Sequence, residues 1–487
     1  MVYRVLRVGL INSAQKYLTA ENFNFRVNAT STILKIKQIW TIEILNENSP
    51  IVHIRSSLRR YLAGDKNGKV TCDQEVPNAY SMFVMTTHPN GNVSFQSEET
   101  KRYLGGAEDN ITCFAQAISE SEKWVLHLAI HPNISMFNQG KKKYLRYDAK
   151  ENAVLCDSEL PWGRDCVMTL IFNFEEKKYS IRTSSGDLIA YNGKLERFQS
   201  SRTLYSPEIR CGMFCLKDTE GRYLSGRDNF IRTFKTDCPS LDELFSPDPS
   251  PGQVTIQSLL SCKYVSLRPG AEVYAVQSDV TDTEIFEIII NNTTRKACFR
   301  GFSKEYLAVG PQNIIVASPI LTDDCWFNIV YNGPRVIIKT GDGKLLTTKG
   351  TGQLMVGYFA TDNSEEFILK LTNRPLLILQ SDFGFVAFGC GTQRLDGNRP
   401  MYEASWMTSN DEGYYQFQLV STDKFWKMDK EGFLAGTGDT PINFIIQLVG
   451  SNVLILKAPN GKYMIAQQSG DFKATGDDAK SATMFLY

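Results

Sequence analysis

An aromatic–aliphatic pair, usually preceded by Gly, Lys or Arg, returns along the whole chain, and no other feature restricts the fold so strongly. The copies are Lys16-Tyr17-Leu18, Arg60-Tyr61-Leu62, Arg102-Tyr103-Leu104, Lys143-Tyr144-Leu145, a degenerate Asp187-Leu188-Ile189, and Arg222-Tyr223-Leu224. They continue as Lys263-Tyr264-Val265, Glu305-Tyr306-Leu307, Lys344-Leu345-Leu346, Gly384-Phe385-Val386, Lys424-Phe425-Trp426 and Lys462-Tyr463-Met464. These twelve positions lie mostly about 38–44 residues apart. A second mark, a large aromatic that opens another strand, follows most pairs: Trp40, Phe83, Trp124, Phe245, Phe286, Phe327, Phe367, Trp406, Phe444 and Phe485. Met168 and Leu204 stand at the two positions where an aromatic is expected and missing. Turn clusters such as Asp65-Lys66-Asn67-Gly68, Gly350-Thr351-Gly352 and Gln468-Ser469-Gly470 separate the marks. Gly and Asn accept positive φ at little cost, so such clusters fold a strand back on its neighbour.

Each unit reads as short alternating strands with hardly any helical periodicity, and a single unit cannot bury its apolar face. Three copies can close a barrel capped by hairpins, the β-trefoil. Propeller repeats have a similar length but give no reason for twelve units. The expected fold class is therefore all-β, four tandem β-trefoils at 1–131, 132–250, 251–373 and 374–487. The boundaries fall at His131-Pro132, at the Pro-rich Phe245–Gly252 and at Asn373-Arg374-Pro375. A length of 487 residues suits three or four such cores.

Lys plus Arg balance Asp plus Glu at 53 each, so any anion-binding surface must be a local patch, and a nucleic-acid partner is not expected. No apolar run reaches the ~18 residues of a membrane-spanning helix, and the N-terminus alternates like a strand rather than a secretion signal. The 11 cysteines include no Cys-x-x-Cys, and Cys211 with Cys215 has no second pair to complete a zinc site. Buried, reduced thiols and a cytoplasmic location are expected. His127 and His131 alternate on one strand face, which suits a surface or domain-interface pair better than a metal site. No nucleophile–base constellation or phosphate-binding glycine motif stands in context, so neither enzymatic activity nor a cofactor is expected.

Several segments carry a resemblance to a known family. They are Gly9-Leu10-Ile11-Asn12, Lys16 to Glu21, Val27-Asn28-Ala29 and Lys37-Gln38-Ile39-Trp40. Gly105 to Asp109, Cys113 to Gln116, His127 to Pro132, Pro161-Trp162-Gly163, Asp242 to Phe245, Asn373-Arg374-Pro375 and Gly438 to Pro441 continue it in order. The chain resembles fascin, the actin-bundling family built of four tandem β-trefoils. The resemblance implies a monomeric partner of filamentous actin in actin-rich protrusions such as filopodia, with at least two basic surfaces gripping acidic filaments.

By position, the resemblance implies a first basic patch with Lys16, Lys35 and Lys37 from the first trefoil, Ile36 replacing a third lysine. A last-trefoil contribution is depleted: Phe383, Gly389 and Cys390 stand where the family has basic side chains, leaving Arg394 and Arg399 nearby. A second group comprises Lys101, Arg102, Lys141, Lys142, Lys143, Arg232 and Lys235, with Cys238 and Leu241 replacing lysines. The third trefoil offers Arg335, Lys339, Lys344 and Lys349, with Gly350 in place of a further lysine; the last repeat offers Lys473, with Ile465 replacing a lysine. Ile33 stands at the family's regulatory serine, and Thr32 and Ser31 are the nearest hydroxyls that could take a phosphate.

Alternatives stay open at this point. A basic residue before the repeat's aromatic could be a solvated turn residue of the hairpin. The chain could bind one filament without bundling. A carbohydrate-binding trefoil is signalled only by the single Gln38-Ile39-Trp40.

Overall fold

In a computed structural model, residues 4–46, 49–210, 212–389, 391–399 and 401–487 are described. Cys211 and Cys390 lie outside them. Every regular element among the described residues is a β-strand or a three-residue 3-10 helix.

The first twelve strands, from Arg4–Ile11 to Val125–Leu128, form one sheet that closes on itself. Arg4–Ile11 pairs antiparallel with both Trp40–Ile44 and Val125–Leu128, joining the first strand to the last. The next twelve, Asn133–Asn138 to Phe245–Pro249, form a second twelve-stranded sheet. A third runs from Gln253–Ser258 to Glu366–Leu371, closed by pairing of those two strands. The remaining strands, Leu376–Leu377 to Phe485–Leu486, divide into a five-stranded and an eight-stranded sheet. Four β-trefoils follow one another along the chain, each with three repeats.

The repeat is legible in the packing. Its aliphatic member is the invariantly buried one: Leu18, Leu62, Leu104, Leu145, Ile189, Leu224, Val265, Leu307, Leu346 and Met464 are all fully buried. Its aromatic member is often only half-buried, as at Tyr61, Tyr103, Tyr144, Tyr264 and Tyr306. The aromatic marks are therefore not all core. The second marks mostly are: Trp40, Phe83, Trp124, Phe245, Phe286, Phe327, Phe367, Phe444 and Phe485 are fully buried. Trp40 and Trp124 donate their indole N–H to the carbonyls of Leu18 and Leu104, the aliphatic residues of their own repeats, at 2.8 and 3.1 Å.

Two marks depart from the reading. Trp406 is half-exposed; Trp426 is buried instead and donates to Ser405 Oγ at 3.0 Å. In the second trefoil Tyr205, next to Leu204, supplies the ring: it is fully buried, and its hydroxyl donates to Ile189 O at 3.0 Å. The bridges Val93↔Trp124, Tyr179↔Tyr205, Ala297↔Phe327 and Tyr415↔Phe444 place Tyr205 on a par with the other marks.

By contact density the chain divides into one unit of 1–160 with 168–248, and another of 161–167 with 249–487. Within the first, Leu128 N–H donates to Tyr179 Oη at 2.8 Å, and His127 stacks on Phe172 with ring centroids 4.3 Å apart. Within the second, Leu371 N–H donates to Tyr415 Oη at 2.8 Å. A buried tyrosine thus accepts from the closing strand of the preceding trefoil in each unit, fixing one barrel against the next.

Candidate basic surfaces

The hairpin that carries each aromatic–aliphatic pair decides what its preceding basic residue does. In the antiparallel register Tyr61 faces Gln74, Tyr144 faces Ser158, Phe425 faces Gly438 and Tyr463 faces Gly476. One residue beyond each of those positions sits Glu75, Glu159, Asp439 or Asp477. Arg60 pairs with Glu75 at 2.7 Å, Lys143 with Glu159 at 2.7 Å, Lys424 with Asp439 at 2.6 Å, and Lys462 with Asp477. Arg102 follows the same rule with the side-chain oxygen of Gln116, and also donates to Phe114 O at 3.1 Å. Lys344 lies over the Tyr358 ring at 5.7 Å. These cations clamp the mouths of their own hairpins. Such exposed pairs add little to stability, but they direct the charge toward the protein's own surface.

Lys16 breaks the rule. Tyr17 faces Ser31, so the partner position is the exposed Thr32, which carries no charge. Among the described residues no carboxylate lies within ion-pair distance of Lys16. Ser31 is half-buried, its Oγ donating to Ile33 O at 2.9 Å and accepting from Ile33 N–H at 3.2 Å. Lys35 precedes the short helix Ile36–Gln38, its backbone N–H donating to Gln38 Oε1 at 3.1 Å, and Lys37 pairs with Glu21 at 2.8 Å. Ile36 is 68% exposed.

The triplet separates into two kinds of lysine. Lys143 is clamped to Glu159, whereas Lys141 and Lys142 sit on the turn that precedes the strand Lys143–Asp148. Asn138 Oδ1 accepts from Lys141 N–H at 2.9 Å, and Asn138 O accepts from Lys142 N–H at 3.0 Å. Lys142 adopts φ 57°. Its ammonium lies 3.5 Å from Gln139 Oε1. Leu241, 55% exposed, lies against this turn, its carbonyl accepting from Gly140 N–H at 2.9 Å. Of the other expected residues in this unit, Lys101 pairs with Glu98 at 2.9 Å and Arg232 with Asp228 at 2.6 Å. Lys235 is exposed, with no ion pair among the described residues.

In the third trefoil, Arg335 pairs with Glu366 at 2.7 Å and Lys344 with Asp342 at 3.0 Å. Arg335 and Lys339 occupy opposite ends of one strand, about 13 Å apart at the usual rise. Lys339 and Lys344 flank the same turn, while Lys349 sits at the far end of the following strand. The four do not form one cluster. In the fourth trefoil, Phe383 is 46% exposed and Arg399 pairs with Asp396 at 2.8 Å.

The acid one residue past the register partner escaped the sequence reading. A signal was present: an acid 15 or 16 residues after the basic residue, at Glu75, Glu159, Asp439 and Asp477.

Other readings are settled by burial. Trp40 is fully buried, so it cannot stack on a sugar, and the carbohydrate reading loses its one signal. His127 is buried between the first two trefoils, its Nδ1 paired with the Tyr17 hydroxyl at 2.8 Å, and the strand Val125–Leu128 ends before His131. No cluster of His, Cys, Asp or Glu suited to a metal occurs among the described residues. Cys72, Cys113, Cys156, Cys215, Cys298 and Cys325 are buried free thiols, and Cys166 is buried as well; Cys238 and Cys262 are exposed.

The Fascin domain model matches residues 14–126 and 261–369. Fascin-2 of Bos taurus is 32% identical over 492 aligned residues, covering 100% of this chain and 99% of its own length. The chain belongs to the fascin family. Fascin of Strongylocentrotus purpuratus is 28% identical, and human Fascin-3 26%, each covering at least 97% of this chain.

Proposed function

We propose that this fascin-family chain is a non-enzymatic, monomeric actin-binding protein that cross-links filaments into tight parallel bundles, in the cytoplasm and its actin-rich protrusions. The trefoils at 1–131, 132–250, 251–373 and 374–487 act as rigid carriers of at least two basic surfaces. The observation that carries the reading is the Lys141–Lys142 turn: two adjacent ammonium groups, neither ion-paired among the described residues, held on a hydrogen-bonded turn where adjacent like charges add nothing to folding. Lys16 and Lys235 supply further charge in the same unit, and Lys339, Lys349 and Lys473 in the other, none of them in an ion pair among the described residues. Lys101, Arg102, Lys143, Arg232, Arg335 and Lys344 would act mainly by holding the hairpins that present them.

Salt-graded cosedimentation with filamentous actin tests this. Bundles pellet at low speed, single decorated filaments only at high speed, and both signals should fall as salt rises. Failure to pellet at either speed in low salt would sink the actin reading. The double reversal Lys141→Glu/Lys142→Glu should weaken filament binding about tenfold or more. Lys143→Glu alone should act chiefly on stability, by opposing Glu159.

One-sided binding without bundling is the second reading, favoured by the exposed, uncharged Phe383. It predicts high-speed pelleting with no low-speed pellet. For regulation, Thr32 is the more accessible of the two hydroxyls. An acid there recreates the clamp seen at Glu75 and Glu159, so Thr32→Glu should draw Lys16 onto its own hairpin. The expected result is weaker binding in the wild-type background and no added effect in Lys16→Ala.

A further inference from the structure

A cleft of about 590 Å³ opens in the third trefoil, a volume within the range of small-molecule sites. Three short segments wall it: the turn 291–296, the helix Asp323–Cys325 followed by Trp326, and the turn 340–344. Hydrogen bonds stiffen both turns. Asn291 Oδ1 accepts from the N–H groups of Thr293 and Thr294, each at 2.9 Å, which leaves its amide donors without a partner among the described residues. In the other turn the buried Thr340 Oγ1 donates to Asp342 and accepts from Lys344 N–H at 3.0 Å, while Asp342 and Lys344 pair at 3.0 Å.

Trp326 is a ring that barrel closure does not require. It stands one place before the buried mark Phe327, where other repeats carry Ile39, Met82, Lys123, Leu244, Ile285 or Glu366, and Phe327 already fills the core. Part of the indole rests on the small buried side chains Cys298, Ala308 and Cys325, and the rest stays accessible. Its N–H has no acceptor among the described residues, unlike those of Trp40, Trp124 and Trp426. Lys296 lies against the second turn, where a β-carbon added at Gly341 would sit 3.1 Å from its Nζ. Neither Lys296 nor the exposed Asp323 and Asp324 has an ion pair among the described residues, although all three line the same cleft.

We infer that this cleft binds a pyranose ring, a function separate from filament binding. The lining selects the ligand. Asp323 and Asp324 offer acceptors, Lys296 and Asn291 offer donors, and the two signs of charge stand beyond ion-pair distance of one another. An anion would meet the carboxylates and a cation would meet the ammonium. A neutral polyol donates its hydroxyls to the first and accepts from the second, so each charged group keeps a hydrogen bond when water leaves. Trp326 supplies a flat apolar face for the C–H side of the ring and an indole N–H as a further donor. Trp40, being buried, takes no part.

The probes are the methyl glycosides of glucose, galactose, mannose and N-acetylglucosamine. They are titrated at millimolar concentration into the full chain and followed by saturation-transfer NMR and tryptophan fluorescence. At least one should bind, with little change between low and high salt, because the ligand is neutral. Trp326→Ala should weaken that binding about tenfold or more. Asp323→Asn/Asp324→Asn should weaken it several-fold at an unchanged melting temperature, since both side chains are exposed. Should Trp326→Ala melt early, Trp326→Leu, which still covers Cys298 and Ala308, reads the same loss. A serine peptide carrying N-acetylglucosamine separates the two sources of the ring. Tighter binding than the methyl glycoside assigns a glycosylated protein; equal or weaker binding assigns a free sugar. No response to any glycoside, or a response that survives in Trp326→Leu, would overturn the site. So would a Trp326-dependent response to glycine, arginine or inorganic phosphate with none to the sugars.

Discussion

Arg374→Ala is expected to cost about 3–5 kcal/mol of stability, among the largest effects of any single substitution in the second unit. Arg374 is fully buried, and no carboxylate faces it among the described residues. Its guanidinium donates to Ser250 O at 2.7 Å, to Ser250 Oγ at 3.2 Å and to Asn373 O at 3.0 Å, and lies 5.3 Å from the Tyr487 ring centroid. Burial holds its pKa down at about 10. At neutral pH the group is protonated in both folded and unfolded states, so this depression is a standing cost of burying the charge, offset by three charge-assisted hydrogen bonds and the ring. Alanine removes the offset, opens a cavity beside Tyr487, and leaves Ser250 Oγ and Asn373 O without that donor. Arg374→Lys should recover only part of the loss, because one ammonium cannot span the same fork. Urea denaturation followed by tryptophan fluorescence measures both. A cost below about 1 kcal/mol for alanine would show that the site repacks and that the arginine is not needed to join the last trefoil to Ser250.

The Arg374 site also illustrates what a linear sequence conceals. Asn373-Arg374-Pro375 reads as a boundary in the sequence, and its partner Ser250 lies 124 residues away. The repeat was legible because each unit restates the same local demand: an aliphatic residue sealed in the barrel, with an aromatic opening a later strand. Tyr205 shows the limit of that legibility. Spacing pointed to Leu204, but the adjacent ring does the packing, and a shift of one residue in a strand moves a side chain to the other face. Trp406 shows the reverse, a large aromatic at the right interval left half-exposed because Trp426 already fills the space beside Ser405.

The candidate surfaces were less legible than the fold for a physical reason. A lysine or arginine looks the same in sequence whether it is solvated, clamped to its hairpin or presented to a partner. What separates Lys143 from Lys141 is Glu159, set across the hairpin by register. What gathers Lys296, Asp323 and Trp326 around one cleft is the closure of the third barrel, which brings separate segments together in a way that neither composition nor spacing announces.

Acidification should loosen the joint between the first two trefoils, and His127 should account for a separable part of the effect. Its ring is buried, stacked on Phe172 and edge-on to Phe174 at 5.4 Å, with Nδ1 against the Tyr17 hydroxyl. Burial, aided by the nearby Lys177 charge, pushes its pKa down to about 3. The unfolded chain takes up a proton near pH 6.5, the folded one only near pH 3. Stability linked to His127 is therefore complete above about pH 6.5 and falls as pH drops toward 3, by roughly 1.4 kcal/mol per unit within that window. Between pH 7 and pH 5 the loss amounts to about 2 kcal/mol. His127→Gln retains a polar group near Tyr17 but cannot titrate, so its stability should change less over the same interval, although it starts lower at pH 7. The measurement is the difference in urea midpoints at the two pH values, wild type against variant, which cancels the other histidines. Equal pH dependence in the two proteins would mean that water or a local opening protonates His127 in place, and that the joint yields before the barrels do.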